Sequence, residues 1–276
     1  MLEVTELSKT YGQGERATRA IGSLTFEVGQ REFVCVVGPS GCGKTTLLKC
    51  MSGLLPATSG RVELRGRPVT RPPAEMAFVF QEYSRSLMPW MSVRGNIALP
   101  LRNKGLDRKK REGLVEGAVE SVGLTRFIDH YPWELSGGMQ QRVAIARALA
   151  YEPEILLMDE PFASVDAQTR ADLEDLILRV RTQYGVTVLF VTHDIDESVY
   201  LGDRVVVLTP PPTTVQEILA VDLPEPRDQV ETKELPEFAH LRAHLFRAIK
   251  RKHSSRAADE VRAGEAAGPT PAPNPT

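Results

Sequence analysis

Apolar runs separated by turn residues follow one another along the chain and predict a mixed α/β fold. Residues 2–8 and 23–28 alternate polar and apolar side chains, which predicts strands of an antiparallel sheet, and RVELRGRPV at 61–69 predicts a hairpin. Longer apolar runs predict buried strands of a parallel sheet. These runs lie at 33–37, 76–81, 155–160, 186–192 and 204–208.

The stretch between about residues 84 and 150 has the period of helices instead. Apolar residues from 114 to 122 share one face of a predicted helix, which Gly123 ends. A second helix is predicted after the glycines at 137 and 138. The sequence therefore predicts a helical segment inserted between strands.

Composition limits the possible classes of function. The chain has 276 residues, of which 42% are hydrophobic and 25% charged, as in soluble globular proteins with a sizeable core. The formal net charge of -2 argues against general nucleic-acid binding, which needs concentrated positive charge. No apolar run approaches the ~20 residues that cross a bilayer, and the N-terminus lacks a signal peptide's basic start and apolar middle, so we expect a cytoplasmic protein.

The candidate chemistry begins at residues 34–45, VCVVGPSGCGKT, where a predicted strand breaks into glycines. The segment fits the phosphate-loop pattern G-x-x-x-x-G-K-[ST], in which glycines turn backbone N–H groups toward a nucleoside triphosphate at a helix N-terminus. Lys44 is expected to neutralise the β and γ phosphates and Thr45 to bind Mg²⁺. The predicted nucleotide-binding residues here are Gly38, Pro39, Ser40, Gly41, Cys42, Gly43, Lys44, Thr45 and Thr46.

Three cysteines, Cys35, Cys42 and Cys50, surround this loop without paired C-x-x-C spacing. We interpret them as small apolar packing residues. Because Cys42 lies inside the loop, alkylation there is expected to block nucleotide binding. Redox regulation stays open as an alternative.

Four polar residues stand at the ends of predicted buried strands: Gln81, Asp159, Glu160 and His193. The carboxyl ends of parallel strands are where such sheets hold ligands. Asp159 is placed to reach Mg²⁺, and Glu160 to position or deprotonate an attacking water. Gln81 is either a polar boundary or a group that binds Mg²⁺ or orients water. His193 is placed to hydrogen-bond the γ phosphate and sense hydrolysis.

Two further features allow more than one interpretation. Tyr11, in a glycine-rich turn, is either a packing residue or a platform for an adenine ring. LSGGMQQR lies at a predicted helix start, where Gly137 and Gly138 open N–H groups to an anion and Ser136 adds a hydroxyl. A helix cap accounts for the serine but not for the glycine pair.

In order, GPSGCGKT, Gln81, LSGGMQQR, ILLMDE and His193 closely resemble the motifs of the ATP-binding cassette (ABC) ATPases, across residues 2–225. The resemblance implies a P-loop NTPase (RecA-like) core with an antiparallel β subdomain and an inserted helical subdomain. It also implies that two copies, or a pair of cassettes, face head to tail. The LSGG helix of one then closes over ATP in the phosphate loop of the other.

The same resemblance assigns roles to single residues. Tyr11 corresponds to the adenine platform, Gln81 to the lid-like loop, Glu160 to the catalytic base and His193 to the switch. The chain departs from the family at 163–166, where ASVD replaces the more usual SALD. The aspartate remains, so only the coupling between the two sites is affected by the difference.

Within the family, FVFQEYSRSLMPWMSVRGNIALPL resembles the nitrate, sulfonate, taurine or bicarbonate type of importer subunit. This implies an ATPase that drives uptake of a small anion or organosulfur solute through separate transmembrane permease subunits, with a solute-binding protein as indirect partner. It also implies a peripheral position at the cytoplasmic face of the inner membrane. The competing classes are a non-transport cassette acting on ribosomes or DNA, and a nucleotide-binding regulator without turnover.

The segment after Gln81 is the expected surface for a permease. Exposed contacts are expected there, with a buried Trp90 as the alternative. The residues concerned are Arg85, Leu87, Met88, Pro89 and Trp90.

We expect an ATPase domain at 1–225, with its helical subdomain at about 84–150, and a C-terminal extension at 226–276. The spacing of apolar residues at 234–250 predicts an amphipathic helix that packs on the protein, although its basic end is also compatible with binding to a membrane surface. His240 and His244 have no evident third ligand for a metal. The proline-rich last ~20 residues are predicted to be disordered.

Overall fold

The structure is a computed structural model that describes residues 1–250, apart from the side chains of residues 83 and 84. Its strands are β1 (Leu2–Tyr11), β2 (Thr18–Val28), β3 (Phe33–Val37), β4 (Ser59–Leu64), β5 (Arg67–Pro68), β6 (Met76–Val79), β7 (Ile155–Asp159), β8 (Thr187–Val191), β9 (Arg204–Leu208) and β10 (Thr213–Ala220). They form one sheet in the order β5-β4-β1-β2-β10-β9-β3-β8-β7-β6.

The helices lie mostly in the segment between β6 and β7 and after β7. They are α1 (Lys44–Met51), α2 (Tyr83–Ser86), α3 (Val93–Ala98), α4 (Arg108–Ser121), α5 (Gly137–Ala150), α6 (Ala167–Tyr184), α7 (Ile195–Leu201), α8 (Glu231–Glu234) and α9 (236–250). Short 3₁₀ turns connect several of them, at Gly14–Arg16, Leu99–Asn103, Thr125–Phe127 and Pro132–Glu134.

The sheet has an antiparallel part and a parallel part, which confirms the predicted fold class. β5, β4, β1 and β2 pair antiparallel, whereas β9, β3, β8, β7 and β6 run parallel. β10 joins the two parts, because it pairs parallel with β2 and antiparallel with β9. The hairpin predicted at 61–69 is formed by β4 and β5.

The central strand β3 is buried on both faces, which explains its uninterrupted apolar sequence. Phe33, Cys35 and Val37 face an apolar cluster shared with the helices between β6 and β7. Val34 and Val36 face a second cluster, shared with α1 and the antiparallel strands. The phosphate loop therefore leaves a strand that is fixed from both sides.

The C-terminal segment packs on the rest of the protein, as the sequence predicted for its apolar stripe. The helix expected at 234–250 is present as α9 from residue 236, and Leu235 separates it from the short α8. Phe238 and Leu245 are buried in the cluster that also contains Phe33. His244 Nε2 lies 3.1 Å from a carboxylate oxygen of Glu217 on β10. The disorder predicted for the last ~20 residues lies outside the described residues.

β6 ends at Val79, two residues earlier than the predicted strand, so Gln81 lies in a loop. Among the described helices, none combines the length and the apolar character needed to cross a bilayer.

Candidate functional site

The order of the strands brings the predicted site residues to one edge of the sheet. β3, β8 and β7 are neighbours and run parallel, so their carboxyl ends lie side by side. The phosphate loop follows β3, His193 follows β8, and the acid pair ends β7. Gly38 and His193, which are 155 positions apart in sequence, thereby lie at the same edge of the sheet.

The phosphate loop needs glycine where its backbone turns. Gly41 and Gly43 have φ angles of 73° and 93°, which L side chains rarely adopt. Gly43 is the N-cap of α1, so the N-terminal end of that helix points toward the loop. The backbone geometry agrees with the predicted phosphate cradle.

Lys44 folds back over the loop that precedes it. Its Nζ donates hydrogen bonds to the carbonyl oxygens of Gly38, at 3.0 Å, and Pro39, at 3.2 Å. It also lies 3.8 Å from Oε1 of Glu160. The ammonium group is buried between the loop and the acid at the end of β7, where phosphate oxygens would give it a stronger partner.

Thr45 and Asp159 are joined across the site. Oγ1 of Thr45 donates a hydrogen bond of 3.1 Å to Oδ1 of Asp159. Burial raises the pKa of Asp159, this hydrogen bond lowers it, and the charge of Glu160 raises it further. A hydroxyl next to a carboxylate supplies the hard oxygen ligands that Mg²⁺ takes, so the two residues fit that ion.

Glu160 and His193 form the second contact between strand ends. Oε2 of Glu160 lies 2.9 Å from Nδ1 of His193. Glu160 has a φ of 41°, and its N–H donates to the carbonyl oxygen of Val191 on β8. That bond fixes the backbone from which the carboxylate extends. His193 is 56% exposed, so its imidazole faces the open side of the site.

Tyr11 is at the edge of the loop region, at the end of β1. Its hydroxyl lies 3.2 Å from Oγ1 of Thr46 in α1, and its side chain is 43% exposed. Nζ of Lys9 lies 5.3 Å from the ring centroid. The exposed ring next to α1 favours the platform over a packing role, and adenine stacking stays a prediction.

Gln81 is less constrained than the other predicted residues. It is exposed and makes no hydrogen bond to Thr45 or Asp159 in the described part of the chain. Its loop leaves the sheet beside the acid pair, since β6 is the neighbour of β7. The predicted contact of Gln81 with Mg²⁺ therefore stays a prediction.

The LSGG segment has the predicted position at a helix start. Ser136 is the N-cap of α5, and its Oγ accepts a hydrogen bond from the N–H of Met139. Gly138 is buried, and a Cβ there would lie 2.3 Å from Cγ2 of Thr169. Close packing against α6 thus supplies a reason for Gly138 that the sequence did not reveal, whereas Gly137 is exposed.

No hydrogen bond or ion pair among residues 1–250 joins the LSGG segment to the phosphate loop of the same chain. The role of the LSGG segment in an ATP site shared with a second cassette therefore stays a prediction.

The cysteines are buried, in agreement with their interpretation as packing residues. Burial raises the pKa of the Cys42 thiol, and its Sγ lies 3.0 Å from the point where a Cβ on Gly38 would stand. Alkylation of Cys42 is disfavoured by this burial. Within residues 1–250, no cluster of three His, Cys, Asp or Glu is arranged to hold a metal, and His244 contacts Glu217 instead.

The structure corrects one expectation about the segment after Gln81. Leu87 is buried in the core and is therefore unsuited to contact a permease. Trp90 is 69% exposed, which excludes the buried alternative. Arg85 is also exposed and pairs with Glu82 at 2.8 Å.

Sequence reasoning missed the residue that shapes this segment, Asn96. Its side chain is fully buried, accepts from the N–H of Met88, and donates to the carbonyl oxygens of Met88, Met91 and Ser92. These bonds satisfy the backbone of residues 88–92 and present Trp90 to solvent. The only available signal was a lone Asn inside an apolar helical turn.

Arg147 fixes the same region from α5. Its guanidinium donates to the carbonyl oxygen and the hydroxyl of Ser86, at 2.6 and 2.7 Å. Burial lowers the pKa of Arg147. The segment after Gln81 is therefore tied to the same helix that starts with LSGG.

Comparison with known proteins agrees with this arrangement. The ABC transporter family profile matches residues 21–163. An aliphatic sulfonates import ATP-binding protein of Bacillus licheniformis is 42% identical over 249 residues, which cover 90% of this chain and 94% of the relative. A nitrate import ATP-binding protein of Synechococcus elongatus is also 42% identical, with 89% and 90% covered.

A solved structure is similar as well. It is the dimeric ATP-binding cassette MJ0796 in a post-hydrolysis state bound to ADP and Pi. The TM-score is 0.70 at 31% identity, over 80% of this chain and 99% of the cassette. The contacts between the strand ends, the geometry of the phosphate loop and the sequence identity agree. The chain therefore belongs to the ABC transporter family and is an ATPase of the ATP-binding cassette type.

Proposed function

We propose that this chain supplies the ATP-driven step of an importer for a small anion or organosulfur solute. One observation carries the catalytic part of the proposal: Glu160 meets His193 at 2.9 Å beside the buried ammonium group of Lys44. The solute class comes from the relatives, which are named for sulfonate and nitrate import. The cassette itself need not contact the solute, since separate chains bind and translocate it.

In this proposal the residues at the strand ends divide the work of hydrolysis. The phosphate loop and Lys44 bind the β and γ phosphates of ATP, and Tyr11 stacks on the adenine ring. Glu160 takes a proton from the attacking water, because its carboxylate faces the position of the γ phosphate. His193 hydrogen-bonds both that carboxylate and the γ phosphate, so it senses whether the phosphate is attached.

Thr45 and Asp159 are proposed to hold Mg²⁺, with Gln81 reaching the same ion or its water. Mg²⁺ would neutralise charge between the β and γ phosphates. Asp159 is suited to this role because its buried carboxylate gains a full counter-charge there. Thr45 must first give up the hydrogen bond that it now donates to Asp159.

A second cassette is proposed to complete each ATP site. Ser136, Gly137 and Gly138 of one copy would place the N-terminus of α5 over the γ phosphate held by the other copy. The solved relative MJ0796 is itself a dimer.

The permease is proposed to dock next to the segment that Asn96 shapes. A cleft of about 490 Å³ lies between β6 and α5, and it is connected to this segment through Arg147, which binds Ser86. Phe78, Ala144 and Arg147 are among its lining residues, and the exposed Phe80 packs against Phe78 with the rings tilted by 34° and their centroids 4.4 Å apart. A cytoplasmic helix of a transmembrane subunit would place its apolar face on these apolar side chains. The chain would then be a peripheral protein at the cytoplasmic face of the membrane, with a solute-binding protein as its indirect partner.

The test is isolation of the full chain from membranes of its own cells in a mild detergent. We expect an integral membrane protein to co-purify with it, and cells without the chain to lose uptake of a sulfonate or nitrate. Trp90→Ala should release the membrane protein, whereas Trp133→Ala, which alters another exposed tryptophan, should retain it. Recovery with ribosomes or DNA and never with a membrane protein would overturn the proposal.

A further inference from the structure

A buried polar cluster lies directly behind His193. Thr192, the residue before it, and Glu197, in α7, are both almost completely buried. The hydroxyl of Thr192 donates a hydrogen bond to Oε2 of Glu197 and accepts one of 3.0 Å from the N–H of Asp194. Glu197 therefore orients the hydroxyl of Thr192, and that hydroxyl binds the backbone N–H of Asp194, the residue after His193.

Arg170 extends the cluster to α6. Its Nη1 donates a hydrogen bond of 3.0 Å to Oδ2 of Asp194. Its Nε lies 3.5 Å from Oε1 of Glu197 and has no hydrogen-bond partner among the described residues. One guanidinium therefore links the carboxylates of Asp194 and Glu197, which both follow His193 in the chain.

The cluster fixes the residues that flank His193 but does not contact its imidazole. Thr192 is anchored by its side chain and by an N–H that donates to the carbonyl oxygen of Val36 in β3. Asp194 is anchored as the N-cap of α7. The imidazole itself is exposed, and Glu160 is its hydrogen-bond partner. The position of that ring consequently depends on the two anchored neighbours.

We propose that Glu197 is a positioning residue for His193, acting through Thr192 and Arg170. Its carboxylate keeps the turn in the one arrangement that brings Nδ1 of His193 to Glu160. The inference rests on the switch role proposed above for His193. Among the described residues, the bonding partners of Glu197 are Thr192, Asp194 and Arg170, and none of them belongs to the phosphate loop.

The charge of Glu197 changes with pH, so its effect on His193 can be measured as a pH dependence. Charged or titratable groups face it from its own turn (Asp194), from α6 (Arg170 and Glu174) and from β3 (Cys35), together with the hydroxyl of Thr192. Burial, helped by the charges of Asp194 and Glu174, raises the pKa of Glu197 to about 7. The carboxylate is thus ionised above that pH, where it accepts from Thr192 most strongly and attracts Arg170.

The experiment compares the wild type with Glu197→Gln, measuring kcat and KM for ATP between pH 6 and 8. Gln keeps the shape of the neutral acid but cannot gain its charge. The ratio of wild-type to variant kcat should be near one at pH 6 and rise to about tenfold at pH 8, because only the wild type ionises. KM should stay within about twofold, since the nucleotide-binding groups are untouched.

Glu120→Gln is the control. Glu120 is an exposed glutamate of α4, and its charge is not one of those that shift the pKa of Glu197. The kcat ratio of the wild type to this variant should not change with pH. Combining Glu197→Gln with His193→Ala should lower kcat no further than His193→Ala alone, because Glu197 acts through that residue.

A kcat ratio that is the same at pH 6 and pH 8 would overturn the inference, as would additive losses in the double variant. Failure of the underlying function looks different. If His193→Ala retains wild-type kcat, the role of His193 itself is refuted. If His193→Ala is inactive while Glu197→Gln matches the wild type at every pH, only the positioning role is refuted.

Discussion

Glu160 and His193, which end neighbouring strands, meet through Oε2 and Nδ1 at 2.9 Å. The contact places a carboxylate and an imidazole together at the mouth of the phosphate loop. Nζ of Lys44 lies 3.8 Å from the same carboxylate. The carboxylate of Glu160 thus stands between an ammonium group and an imidazole.

Glu160→Gln should slow ATP turnover about 10³-fold, roughly 4 kcal/mol in the barrier, because the amide cannot accept the proton of the attacking water. ATP binding should remain. Phosphate release and nucleotide affinity measure the two effects. Glu152→Gln is the control, because Glu152 also has a positive φ but lies before β7, at the opposite end of the same strand. Wild-type turnover in Glu160→Gln would refute its assignment as base.

Tyr11→Ala should weaken ATP binding by about 1 kcal/mol, roughly fivefold, if the exposed ring stacks on adenine. Tyr11→Phe keeps the ring and loses only the 3.2 Å contact of the hydroxyl with Thr46, so its affinity should stay within about twofold. Titration with a fluorescent ATP analogue distinguishes the two variants. Equal losses in both would assign the effect to the hydroxyl.

Gly138→Ala should destabilise the fold by roughly 1–3 kcal/mol, because the new methyl group overlaps Cγ2 of Thr169. Thr169→Ser in the same chain should restore stability, since serine lacks that methyl group but keeps a hydroxyl for Asp166. Denaturant unfolding gives the free energies. Gly117→Ala, with open space around its Cβ, is the control and should be neutral or stabilising. No rescue by Thr169→Ser would mean that the overlap is relieved elsewhere.

Asn96→Ala should cost about 1–3 kcal/mol, because it leaves the N–H of Met88 and the carbonyl oxygen of Met91 without their side-chain partner. The segment should also become sensitive to proteolysis after loss of these bonds. Thermal unfolding and limited proteolysis test both effects, with the exposed Asn103→Ala as the control. A stable variant that is cleaved no faster would show that packing alone holds the segment.

The stability of the protein should depend on Glu197 between pH 4.5 and about 7. Its folded pKa is raised from 4.5 to about 7, chiefly by burial, so the unfolded chain ionises first and stability falls as pH rises through this window. The wild type should therefore lose up to roughly 3 kcal/mol relative to Glu197→Gln across it. Unfolding free energies at pH 5, 6, 7 and 8 measure this difference, with the exposed Glu120→Gln as the control. A difference that is independent of pH would contradict the prediction.

Much of this site could be predicted because its chemistry is local in sequence. The loop from Gly38 to Thr45 and the acids after β7 each form a short motif with a fixed place relative to a strand. Parallel pairing then brings the strand ends together, so the neighbourhood of Glu160 and His193 follows from the strand order. The fold class was accessible for the same reason.

The rest depends on contacts that no short pattern contains. A side chain at position 138 would clash with Thr169, which lies on another helix. Leu87 was expected at the surface because the polar residues around it give no periodic pattern that shows which side of the segment faces the core. The role of Asn96 was missed because its partners are backbone groups, and backbone groups leave no signature in the sequence. Glu197 is a glutamate in an ordinary helical turn until burial and Thr192 give it a special environment.

The packing of the C-terminal segment has a practical consequence for exchanging cassettes between transporters. Phe238 and Leu245 fill the same apolar cluster as Phe33 in the central strand, and Gln229 and Lys233 cover Glu174. A chimaera joined at residue 225 would bare that cluster and a buried carboxylate together. Residues 226–250 should accordingly be exchanged together with the preceding residues of the same chain, against which they pack.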